Sequence, residues 1–222
     1  MALPRYDIYA LIHKGLRACL TEALINLGRV DLYAEDELAT VLEQVGDLLA
    51  ICRGHLKHEN TFIHPAMDAV EPGVATAMYH HHDHHVAMII VLQSQLEHLS
   101  ECQRSQRPAL AAQLYRKLAV FVADNLAHMH EEETENNAVL WRHYSDEQIR
   151  DIEHRLVQSI SPEDNARHMR WMLTAMNHQE REQLLSEMRA AAPQPVFEGV
   201  LAIARGSLPK PEWGKLELAL AG

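Results

Sequence analysis

The chain has 222 residues, is 47% hydrophobic and 23% charged, and carries a formal net charge of −11. That acidic balance disfavours nucleic acid and anionic membrane surfaces as partners, and the longest apolar run, VAMIIVL at 86–92, is too short to span a bilayer. Three cysteines with no CxxC pair fit a reducing, cytoplasmic setting rather than a disulfide framework.

The opening MALPRYDIYALIH lacks the basic start and long apolar stretch of a secretory signal. From about Tyr6 to Leu27 the apolar residues recur at helical spacing, and Gly28 punctuates the end (segment A). Segment B runs from near Glu35 to about His64, where Pro65 should bend or end it. EPGVAT at 71–76 is a turn, segment C follows from about Ala77 to Cys102, and Pro108 opens segment D, which reaches roughly Tyr144. Shorter helices are expected near 146–159, 162–175, 178–191 and 195–205, and the proline-containing tail LPKPEWGKLELALAG should drape over the surface. No stretch alternates with period two. The expected fold is all-α: an antiparallel up-down four-helix bundle over 1–144 with a C-terminal helical extension, 145–222, packing on it.

Histidine is the outlying residue, sixteen in all, eleven of them between His55 and His130. The run YHHHDHHV at 79–86 is too far from either terminus to be a tag. An internal repeat sorts the histidines. From His13, leucines follow at +3, +7, +11 and +14; from His85, Met88, Leu92, Leu96 and Leu99 follow at the same offsets. Each set lies on one helix face. Apolar residues precede His55 and His128 at matching offsets, and each of these histidines has a glutamate four residues on, Glu59 and Glu132. Antiparallel packing brings His13, His55, Glu59, His85, His128 and Glu132 to one end of the bundle interior. Carboxylates and imidazoles there need partners, because unpaired buried charge is costly, and a pair of divalent metals satisfies them. Imidazole admits iron, zinc, copper or nickel, so the ligands alone do not choose the metal.

With His13, HLKHE at 55–59, HHHDHH at 80–85 and HMHEE at 128–132, the sequence resembles the hemerythrin-like (HHE cation-binding) family over about residues 5–144. The resemblance implies a cytoplasmic non-haem centre of two iron ions, bridged by carboxylates and an oxo or hydroxo group. It implies O2, NO or peroxide as the small ligand, for sensing, storage or delivery. The oxygen carriers of that family take two histidines one turn apart from the third helix. His81 and His85 fit that spacing, so the implied metal set is His13, His55, Glu59, His81, His85, His128 and Glu132, which leaves one coordination position open. His80 and His84 share the spacing, but the leucine stripe turns His85 inward. His82 and His84 are expected at the surface, and His64 at the surface or behind the ligands. Tyr9 falls one turn before His13, close to the metals. The oxygen carriers place an aspartate five residues after the last histidine, where this chain has Glu133; Glu132 matches segment B and is preferred. Ferritin-like bundles carry Glu-x-x-His, and no histidine here has a glutamate three residues before it. Two other roles fit the same centre. One is enzymatic, acting on peroxide or NO or supplying iron for cluster repair. The other is a metal-sensing interaction module, with a homodimer or protein partner docking through 145–222.

Overall fold

The computed structural model describes residues 5–221, so the first four residues and Gly222 of the two expected regions lie outside it. Among the described residues there is no strand. Four long helices come first: α1 (Ala10–Arg29), α2 (Glu35–His58), α4 (Thr76–Glu101) and α5 (Arg107–Glu131), with the short α3 (His64–Val70) following α2 and α6 (Asn137–His143) following α5. The all-α reading stands. Helix α2 opens on Glu35, Asp36 and Glu37, acids that suit the positive end of the helix dipole. Gly73, at φ +85°, takes the left-handed position of the 71–76 turn.

The predicted stripes supply much of the core of this part, with Ile89 added to them and Tyr115, counted in the stripe before His128, turned 40% to solvent. Leu20, Leu48, Leu49, Ile89, Leu92, Leu99, Leu114, Leu118 and Phe121 are fully buried, and α4 packs against both α2 and α5. Arg107, at the start of α5, grips the beginning of α2. Its guanidinium donates to both Glu35 carboxylate oxygens at 2.9 and 2.8 Å and to the Leu32 carbonyl at 2.9 Å.

By their contacts the residues form two compact units: those up to Tyr9 together with Cys19–Ser159, and Ala10–Ala18 together with those from Ile160 onward. Helix α7 (Asp146–Ser159), expected in the extension, therefore belongs to the bundle unit. Its Ile149 and Ile152 share a buried cluster with Ile8, Tyr9, Ile63, Met67, Val139 and Leu140. The N-terminal segment is pinned there too. Arg5 donates to Asp146 and to the carbonyls of Trp141 and Tyr144, and the Asp7 carboxylate accepts from the Tyr9 amide and from Asn137 Nδ2.

The second unit contains α8 (Pro162–Ala175), α9 (His178–Ala191), α10 (Gln194–Ser207) and α11 (Lys210–Ala221). Helix α11 corrects the expectation of a draped tail. Pro211 sits in its first turn, where a missing N–H costs nothing, and Leu216 and Leu220 are buried with Leu173, Leu185, Phe197 and Val200. Arg181 donates to the Leu173 and Thr174 carbonyls at 2.6 and 3.3 Å, satisfying the C-terminal end of α8.

Gly15 lets the first turns of α1 approach α8. A Cβ there would stand 3.0 Å from the Met172 backbone nitrogen and 3.2 Å from its Cα. Alanine gains roughly 1 kcal/mol of helix propensity over glycine, but crowding against backbone costs about 1–3 kcal/mol. Gly15→Ala is therefore expected to lower the urea midpoint, and an unchanged or raised midpoint would show that α8 shifts freely. A second measurement concerns the Arg107–Glu35 clamp, whose hydrogen bonds hold the Glu35 carboxyl below its ordinary range. Its contribution is fully present above the unfolded carboxylate value of roughly 4.3 and lost as pH falls through the lowered folded value. Denaturation of wild type and Glu35→Gln across pH should show a gap at neutral pH that closes in acid.

Candidate metal centre

Two wide turns build the site. Helix α2 passes directly into a π segment, Glu59–Ile63, and α5 into another, Glu132–Asn136. Each begins at the glutamate four residues after a histidine. The His64 N–H reaches back to the Glu59 carbonyl and the Asn137 N–H to the Glu132 carbonyl, a five-residue span. In an α-helix a residue five positions on lies about 140° around the axis; the wide turn brings it back toward the face of the glutamate. His64 and Asn137 are in consequence fully buried. Such π turns occur frequently at functional sites. Pro65, expected to bend or end segment B, sits in the first turn of α3. It does not cause the π turn, because the turn at Glu132 has no proline.

The two His-x3-Glu pairs close as their spacing requires, with His55 Nε2 3.1 Å from Glu59 Oε1 and His128 Nε2 3.3 Å from Glu132 Oε1. Between them stands His82. Its Nε2 is 3.6 Å from Glu59 Oε2, 3.5 Å from Glu132 Oε1 and 3.0 Å from His128 Nε2, while its Nδ1 lies 2.7 Å from Asn60 Oδ1. The Asn60 oxygen only accepts, so Nδ1 carries the proton and a neutral His82 presents the bare Nε2 lone pair to the centre. Two sets of ligand atoms result: His13, His55, Glu59 and Glu132, and Glu59, His82, His128 and Glu132. Within each set the ligand atoms lie no more than 4.8 Å apart.

Five of the seven expected residues are drawn together, and the two from the third helix, His81 and His85, are not among them. His81 lies outside both sets. Its ring is 44% exposed and its Nδ1 is 3.4 Å from Glu131. His82, expected at the surface, has no exposure and takes the place assigned to His81. His85 is 3% exposed, as the stripe requires, and its ring stands 5.0 Å from that of His128, edge to face, beside both sets rather than in them. Of the two places expected for His64, the structure shows the inner one. It is fully buried, and its ring centroid lies 4.8 Å from that of His82. His84 faces Asp124 at 3.8 Å near the surface. The sequence has the His-x3-Glu spacing at two further places, His143/Glu147 and His178/Glu182; His143 lies 2.7 Å from Glu71 instead, and His178 stays 3.9 Å from Glu182.

Electrostatics follow from this packing. Burial and the adjacent Glu59 raise the Glu132 carboxyl, but the imidazoles of His128 and His82 outweigh both and hold it ionised. Burial pushes His64 down to about 4 and His85 down to about 3, so both are neutral at pH 7. The Tyr9 phenol is completely buried and accepts from Asn136 Nδ2 at 3.2 Å. Burial, then Glu132 and Glu59, raise it well above its ordinary range, and it stays protonated.

The donor chemistry fits two divalent ions. Each set offers two imidazoles and the same two carboxylates, so both glutamates can bridge, and the charge of the ions answers that of the buried acids. The spacing of His82 Nε2 and His128 Nε2 suits a cation between two lone pairs. No helix among the described residues is long and apolar enough to cross a membrane.

Residues 6–140 match the model of the hemerythrin HHE cation-binding domain. No curated protein and no solved structure gives a significant match.

Because His82 faces both carboxylates and His81 faces solvent, single substitutions separate them. His82→Ala should lose at least half of the metal bound per chain, while His81→Ala keeps the wild-type content, both measured by elemental analysis after purification. Equal losses would return His81 to the site.

Proposed function

As the chain belongs to the hemerythrin HHE cation-binding family, we propose that it is a cytoplasmic non-haem di-iron protein that binds O2 or NO inside the bundle, for sensing, storage or delivery. The observation that carries this reading is the pair of four-residue donor sets sharing Glu59 and Glu132. Residues that share two carboxylates in this way would hold two ions near one another, and such a pair would supply a binding place for one diatomic molecule. Iron supplies reversible electron transfer to such a ligand when bound; zinc or another divalent metal would occupy the same donors without that chemistry.

The residues of this chain have definable tasks. Glu59 and Glu132 are the carboxylates that would be shared by the ions and would neutralise them. His13 and His55 close one end, and His82 and His128 the other, with Asn60 fixing the His82 tautomer. His64, His85 and Phe121 wall the centre with rings, His85 lying 6.0 Å from Phe121. That wall excludes bulk water and favours a small, weakly polar ligand. An enzymatic role on peroxide or NO, or in supplying iron, uses the same residues. A metal-sensing interaction role would instead work through the helices after residue 159, binding a protein partner or a second copy.

Chain expressed in iron-containing medium should carry about two irons, with near-ultraviolet absorption that bleaches under reductant and returns with O2. NO should also change the spectrum of the reduced protein. Glu132→Ala should lose both metal and colour. A colourless wild type with stoichiometric zinc would sink every redox role. Steady consumption of peroxide by wild type, lost in Glu132→Ala, would favour the enzyme, and metal-dependent recovery of a partner would favour the sensor.

A further inference from the structure

Of the histidines in YHHHDHHV, only His82 joins the two donor sets. His81 and His84 both face α5. Residues 81, 84 and 85 fall on one face of α4, and residues 124, 128 and 131 on one face of α5, and the two helices pack together. Across that seam His84 Nε2 stands 3.8 Å from Asp124 Oδ2, with side chains 64% and 41% exposed. His81 Nδ1 stands 3.4 Å from Glu131 Oε2, at 44% and 42%. Each is an imidazole beside a carboxylate and open to water, a donor pair that suits a divalent cation of the imidazole-binding class. Surface ion pairs contribute little to folding, so stability gives no account of two of them on one seam.

From these pairs imidazoles lead inward in steps. The His84 ring lies 6.2 Å from that of His85, and the His85 ring 5.0 Å from that of His128. The His81 ring reaches that of His128 directly, at 5.7 Å. Both lines meet at His128, whose ring lies 4.9 Å from that of His82 and whose Nε2 is 3.3 Å from Glu132. His85 belongs to neither donor set. It is 3% exposed, and its Nδ1 has no hydrogen-bond partner among the described residues. The centre it flanks is closed off, with Glu59 and Glu132 at 1% and 0% exposure. A cation reaching them gives up its water among packed side chains, and charge left uncompensated there is costly. Donors spaced along the way replace that water one ligand at a time.

We propose that the α4–α5 seam is a loading site for divalent metal: the exposed pairs His84–Asp124 and His81–Glu131 capture a hydrated cation, and His85 and His128 pass it to the buried centre. This rests on the metal-centre reading above. The net charge of −11 draws cations of every kind toward the surface. Imidazole beside carboxylate favours iron, cobalt or zinc over magnesium and calcium, so selection begins at the seam. The place of His85 between His84 and His128 gives the reason for an imidazole at a buried position outside both sets.

Cobalt(II) is the probe, because its visible absorption reports entry into a histidine–carboxylate site. The full chain is stripped of metal with a chelator, checked for helical circular dichroism and mixed with cobalt(II), and release from the loaded chain into excess chelator is timed as well. Wild type is compared with the double variants His81→Ala/His84→Ala and Asp124→Asn/Glu131→Gln. The control is His98→Ala, an exposed histidine roughly 20 Å further along α4. Both double variants should take up and release cobalt about tenfold more slowly, with the final metal per chain and the dissociation constant unchanged. His98→Ala should match wild type. A residue that only stabilises the fold or the bound metal would not slow both directions equally. Rates within twofold of wild type in both double variants would overturn the proposal, as would equal slowing in His98→Ala. Loss of bound metal in either double variant would also overturn it, since those residues would then be permanent ligands. So would a wild type that holds metal when purified but takes up none after stripping, because loading would then precede folding. If wild type holds no metal by either route, the reading of the centre falls together with this inference.

Discussion

Two carboxylates with almost no solvent exposure, Glu59 and Glu132, are the constraint around which the bundle is organised. A charge moved from water to a protein interior is penalised by several kcal/mol or more after relaxation, and here two like charges face one another. Imidazoles from four helices answer them, His13 of α1 among them. His55 and His128 come from the same helices as their glutamates, and His82 reaches both from α4. The stripes of leucine and isoleucine below hold these helices close enough for that convergence. The apolar core stabilises the fold, and the polar end sets what it can bind.

The π turns translate that constraint into backbone geometry. Without them Glu59 and His64, or Glu132 and Asn137, could not face the same interior. Their placement at the two glutamates, one with a following proline and one without, points to the needs of the site rather than to a local sequence defect. The wide turn leaves its own backbone bonds longer in register. The side chains it turns inward, Asn136 and Asn137 among them, regain hydrogen bonds with Tyr9, Asp7 and the Glu133 carbonyl.

Much of this was legible in the sequence because helical periodicity and His-x3-Glu spacing are direct geometric statements. The long helices, both glutamates, His13, His55 and His128 follow from spacing alone. The choice along YHHHDHHV does not, because a stripe of period near 3.6 fits registers one turn apart. Counting from His85 gives Met88, Leu92, Leu96 and Leu99 at +3, +7, +11 and +14, the offsets of the leucines after His13. Counting from His82 gives His85, Ile89 and Leu92 at +3, +7 and +10, which matches the buried Leu16, Leu20 and Ala23 after His13 equally well. Testing that second register against His13 would have found His82. The burial of His64 was not legible, since it depends on an inserted wide turn that leaves no mark in residue type. The tail was misread for a different reason: two prolines outweighed the Leu216 and Leu220 spacing, although a proline in the first turn does not oppose a helix.

The anchoring of the N-terminal segment has a consequence for handling the molecule. Arg5 clamps onto the end of α6 and the start of α7, and Asp7 ties the Tyr9 backbone to Asn137. A fusion partner, affinity handle or protease cut that disturbs those few residues would reach the interior through covalent continuity, although no such change touches a carboxylate or an imidazole. Preparations that differ only at this edge can then differ in how well the buried donors hold a metal, and a carboxy-terminal handle is the safer choice for measuring it.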